Sequence, residues 1–172
     1  MEENKQSFKD KWNSELDKKD LKKVLIKGLI GMIAAVVLAS FVDYLLFRIN
    51  ASFFVAILII GAFIGVIINN SFKQYHIKYT FIALIYTFIG MILLNFFRLV
   101  LIYGFSEIGT ILSSGEAWFM IFLHPIRAIV NAVRIGEIGN YIFSIIELVL
   151  YIGTFFFAYI LSKKKHEEKN GQ

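Results

Sequence analysis

Four side chains capable of polar chemistry sit inside stretches that are otherwise apolar: Asp43, Asn95, Arg98 and Glu147. An ionisable group in such a setting is costly to bury, so it either pairs with an opposite charge, snorkels to an aqueous boundary or serves a transport path. Asp43 and Arg98 are natural partners for an ion pair. Glu147 lies nine residues into its apolar stretch, roughly 13 Å deep at 1.5 Å per residue, and burial there favours its protonated form, the requirement for a proton carrier. Asn95 is one helical turn from Arg98. The spacing therefore predicts one polar cluster of Asp43, Asn95, Arg98 and Glu147, acting either as a structural lock of helix register or as an ion, proton or polar-solute path.

A second polar set is periodic. His124, Arg127, Asn131, Arg134 and Glu137 follow steps of three, four, three and three, which places them on one face of a helix. Phe119, Phe122, Ile126, Ile129, Val130 and Val133 fill the other side, and Pro125 kinks this helix or begins its main part. Three arrangements of the amphipathic segment 117–137 are open: flat in a membrane interface with the arginines toward water, re-entrant with the polar stripe facing a wet cavity, or a full additional span. The last would bury two arginines at roughly 2.5–3.5 kcal/mol each.

Other chemistry finds no support. His76, His124 and His166 have no metal-ligand spacing, and neither a P-loop nor a GxGxxG is present. With no cysteine, thiolate chemistry, disulfides and cysteine metal sites are excluded. Ser113-Ser114-Gly115 has no histidine base in the last apolar stretch to activate a serine. No metal, cofactor or catalytic residue is expected, and the reading is non-enzymatic.

The elements that must position these residues are helices in a membrane. The 172 residues are 58% hydrophobic, against roughly 45–50% for soluble domains, and the mean hydropathy is +0.67. Crossing a hydrocarbon core takes about 20 apolar residues in a helix. Four stretches qualify, at about 28–47, 52–70, 79–101 and 138–161, in a membrane domain spanning 28–162. Strands would leave backbone groups unpaired in lipid, and barrel-type alternation is absent. The expected fold is an all-α integral membrane four-helix bundle. Its amphipathic interfacial or re-entrant helix precedes the last span.

Charge sets the orientation. Residues 1–27 carry eight lysines, 71–78 carry Lys73 and Lys78, and the tail 163–172 carries Lys163, Lys164, Lys165 and Lys169, so 14 of the 18 cations fall on one side of four spans. Both termini are thus expected in the cytoplasm, with the net charge of +5 facing anionic headgroups rather than nucleic acid. The first span is expected to stay as an anchor, because a charged tail of 27 residues precedes it and no A-x-A-like site follows. Within that tail Phe8, Trp12 and Leu16 recur at spacing four, which suits either an amphipathic helix on the membrane face or a solvated tail, and Asp20 is a candidate cap for the helix that follows.

Small residues mark close helix packing. Gly31, Ala35 and Ala39 form a stripe on the first span, and Gly61 and Gly65 a GxxxG on the second. They would serve packing between those two spans or a homo-oligomer. GLIGMIAAVVLASFVDYLL from Gly28 and FFVAILIIGAFIGVIINN, with its paired glycines, resemble small bacterial multi-pass membrane proteins, some of which carry an N-terminal zinc ribbon. The resemblance covers about a third of the chain and implies a bacterial cell-membrane location. The ribbon is absent, since its cysteines are, and no functional residue carries over. The expected role is an accessory, immunity or regulatory membrane subunit acting by helix association with a partner or with itself. A small transporter or oligomeric channel is the alternative.

Overall fold

The computed structural model describes residues 12–48, 55–119, 121–122 and 138–163. These are mostly helical, with no strand among them. The order is α1 (Lys18–Arg48), α2 (Ala56–Asn69), α3 (Ile77–Tyr103), a 3-10 turn (Phe105–Glu107), α4 (Ile108–Ser113) and α5 (Ile138–Leu161). A further helical turn occupies 115–119. By length and apolar composition α1 and α3 are each sufficient to cross a bilayer, whereas α2 and the 145–161 part of α5 are shorter apolar helices.

Local chemistry explains the helix ends. α1 is capped by Asp17, whose Oδ1 accepts from Lys19 N at 2.8 Å. This corrects the expectation for Asp20, which lies inside the first turn and is used elsewhere. α1 therefore starts ten residues ahead of the apolar stretch. At the start of α3 the cap is His76, whose Nδ1 accepts from Lys78 N at 3.1 Å. That helix stops at Gly104, whose φ of 98° is accessible to glycine at little cost and whose N–H returns to the Val100 carbonyl. α5 has the bounds anticipated for the fourth apolar stretch.

The packing pattern follows from where small residues allow contact. A Cβ at Gly28 would stand 2.6 Å from the Tyr86 ring of α3, and one at Gly31 2.7 Å from Ile67 of α2. Ala35 and Ala39 are fully buried on the same side of α1. Gly61 and Gly65 instead face α5: a Cβ at Gly61 would collide with the Thr154 carbonyl oxygen, and one at Gly65 would lie 2.9 Å from Leu161. The GxxxG thus belongs to the α2–α5 contact, not to the α1–α2 contact expected for it. These contacts make α1 antiparallel to α2 and parallel to α3, with α5 parallel to α2 and antiparallel to α3. α2 and α3 are central, and α1 and α5 flank them. The core is aliphatic: Ile57, Ile60, Ile64 and Ile68 of α2 meet Met32 and Val36 of α1 and Leu94 of α3.

Two ends result. One gathers residues 12–20, the 71–76 turn and Ser162; the other gathers the end of α1, the end of α3 and the short helices. The stripe His124, Arg127, Asn131, Arg134 and Glu137 lies outside the described residues, as do Phe8 and the lysines after Lys163. At the edge of that segment Phe119 and Phe122 are exposed while Ile121 is buried.

Candidate functional site

At the end away from the lysines, three long helices contribute to one polar network. Arg98 on α3 donates from Nε to Asp43 Oδ2 on α1 at 2.5 Å, and from Nη1 to Asn95 Oδ1 at 3.1 Å. Both charged side chains are largely shielded, at 16% and 12% exposure. Asn95 is buried. Its Nδ2 donates to the Ile121 carbonyl at 3.2 Å and lies 3.1 Å from the Tyr151 hydroxyl of α5, which is also 3.2 Å from Asn95 Oδ1. Asn95 therefore satisfies its donors and acceptors against three separate parts of the chain.

Glu147, one turn before Tyr151 on α5, is 4% exposed. The Tyr151 hydroxyl lies within electrostatic reach of both Glu147 and Arg98. Thus Asp43, Asn95, Arg98 and Tyr151 are hydrogen-bonded together, and Glu147 is buried one helical turn from Tyr151. Tyr151 was missed by sequence reasoning. The available signal was its i+4 relation to Glu147, which puts it on the same helical face.

Beside the network a cavity of about 260 Å³ lies between α3 and α5, with Met91, Asn95, Phe122, Leu148, Tyr151 and Phe155 among its walls. Its polar members are already bonded to each other, so the remaining surface is apolar. Chemically the arrangement fixes α1, α3 and α5 in register and leaves one acidic group, Glu147, deep in the helix packing. No group of three or more potential metal-ligating side chains occurs among the described residues.

The opposite end is polar in a different way. Asp20 is buried, and its Oδ2 accepts from Lys73 N at 2.8 Å while Oδ1 meets Lys23 Nζ at 3.4 Å. The Lys73 amide chiefly holds the Asp20 carboxyl below its ordinary value of 3.8. Asp20 precedes the apolar stretch of α1 by eight residues. Because His76 Nδ1 is an acceptor, its proton sits on Nε2, which faces Ser14 Oγ at 3.1 Å and the Ser14 carbonyl at 3.2 Å. Trp12 meets Phe81 edge-on at 5.1 Å and lies beneath Lys78 Nζ. The segment from Trp12 to Asp17 is accordingly folded back on the start of α3, a third arrangement beside the surface helix and solvated tail considered above. Ser162 Oγ donates to Thr80 Oγ1, joining α5 to the same end.

No family model, no curated protein and no solved structure matches the chain. The functional reading consequently rests on the residues and their geometry.

Proposed function

We propose that this chain is a four-span protein of a bacterial cell membrane, with both termini in the cytoplasm, and that it works as a non-enzymatic accessory, immunity or regulatory subunit through helix association. The observation that carries this reading is the closed network Asp43–Arg98–Asn95–Tyr151. Its hydrogen bonds link helices of the same chain, as in a register lock. Lysines 18, 19, 22, 23, 27, 73, 78 and 163 surround one end of the packed helices, the arrangement that anionic cytoplasmic headgroups favour. Gly31, Gly61 and Gly65 are occupied within the chain, so a partner or second copy would meet the exposed apolar faces of α1 and α5, where Ile30, Val37, Val149 and Ile152 project outward. Affinity capture from native membranes tests this. A defined co-purifying membrane protein, or a stable homo-oligomer by mass, is expected; a solitary monomer contradicts it.

A second reading is favoured by one observation, the burial of Glu147 beside Arg98 and Tyr151. In that reading the protein is a small transporter or channel, with Glu147 and Arg98 lining its path. Proton or ion flux in liposomes decides between them. Flux lost in Glu147→Gln supports transport, and no flux from folded wild-type protein excludes it.

A further inference from the structure

The chain from the end of α3 into the start of the amphipathic segment is helical and unusually aromatic on its outside. Tyr103, Phe105, Leu112, Trp118, Phe119 and Phe122 are all exposed, Phe105 at 70%. Looseness does not explain this, because the same stretch is docked. Ile111 and Ile121 are buried against Val100, with Leu99, Ile108 and Ala117 around them. The Trp118 indole N–H donates to the Leu112 carbonyl at 2.8 Å, which ties 115–119 back onto α4, and its ring lies 5.7 Å from that of Phe122. The polar side chains gather elsewhere: Glu107, Thr110, Ser114 and Glu116 line one crevice of about 190 Å³ that none of the exposed aromatics except Tyr103 borders.

Exposed apolar groups in such a cluster require a covering medium. The medium is indicated by continuity. α3 is apolar over a bilayer's thickness up to Leu101, so the aromatic stretch begins where that helix leaves hydrocarbon. Aromatic side chains concentrate at this depth because their rings favour the acyl boundary. Trp118 already has its N–H satisfied internally and can sit on the apolar side. We infer that residues 103–119 form a lipid-interface anchor, with Phe105, Leu112, Trp118 and Phe119 inserted into the headgroup–acyl boundary on the side away from the lysines. This rests on the membrane reading above and adds a defined contact to it. The attraction is apolar, since the charges described here are carboxylates, and it is independent of anionic lipid.

The test uses the full chain with Trp12→Phe, which leaves Trp118 as the sole tryptophan, reconstituted in phosphatidylcholine vesicles. Quenching by lipids brominated next to the headgroup should exceed quenching by lipids brominated at the chain end by about twofold, with acrylamide weak and anionic lipid without effect. Phe105→Glu and Phe119→Glu, both at exposed positions, should raise acrylamide quenching. Dominant acrylamide quenching overturns the anchor in favour of a water-facing hairpin. Silence toward both quenchers overturns it in favour of a protein cover, either a second copy or another part of this chain. Flotation of the vesicles after carbonate washing separates the two levels. Failure to float sinks the membrane reading itself, whereas a floating protein with a wet Trp118 sinks only the anchor.

Discussion

The two ends of the packed helices solve the same problem with opposite means. At the lysine-rich end, side chains satisfy backbone: Asp20 takes the Lys73 amide, His76 the Lys78 amide, and Asp17 the Lys19 amide. At the other end side chains satisfy one another, with Arg98 shared between Asp43 and Asn95, and Asn95 between Arg98 and Tyr151. The first is a set of helix caps and turn bonds to backbone amides, each separable from the others. The second is coupled, so the loss of one member leaves others buried without their partner. Asp20 is 3% exposed, whereas the Arg98 and Asp43 side chains keep 16% and 12% of their surface, so coupling among side chains, rather than depth of burial, determines which end is fragile.

The largest effect should come from breaking the ion pair. Arg98→Leu leaves Asp43 buried without its cation and is expected to cost about 3 kcal/mol, read as a lower midpoint of unfolding as the SDS fraction in mixed micelles rises. Asp43→Leu together with Arg98→Leu should cost less than either alone; equal or additive losses would refute the coupling. Next comes a change that belongs to neither end. Gly61→Val drives a side chain into the Thr154 backbone and should cost about 1–3 kcal/mol, weakening both ends together because it separates α2 from α5. An undisturbed α5, judged by disulfide trapping between cysteines at Gly65 and Leu161, would show that the close approach is not needed.

Tyr151→Phe removes one hydroxyl from the network and should cost about 0.6 kcal/mol, the usual scale for interhelical hydrogen bonds in lipid. The smallest effect is at the basic end. The Asp20 carboxyl is held below 3.8, so its contribution is complete above about pH 4 and fades as pH falls through the folded-state value. Asp20→Asn should remove that contribution, a modest loss at neutral pH, and flatten the acid limb of stability below pH 4. A large neutral-pH loss would mean that this end is coupled after all.

The apolar stretches were legible because membrane-length apolarity is a strong one-dimensional signal, and α5 begins and ends where that signal does. Asp43 and Arg98 were legible as a pair for a similar reason: few polar groups compete inside apolar helices, and helix direction sets their depth. Tyr151 was not, since a tyrosine within an apolar helix looks the same whether it faces lipid, core or an asparagine. GxxxG reports close approach without naming the neighbour, which is why Gly61 and Gly65 turned out to meet α5. Asp17 and Asp20 are both plausible caps by type, and only the position of Lys73, 53 residues from Asp20 in sequence, separates their roles. Sequence periodicity of short range carries no trace of that contact.

α1 runs for 31 residues without a break, a rod of about 46 Å. Asp20 and Asp43 are mounted on it some two dozen positions apart, about 35 Å along the axis. An unbroken helix of this kind would carry an axial displacement of its basal carboxylate on to its distal one. A shift at the lysine-studded base would thus be felt as strain in the salt link at the far rim.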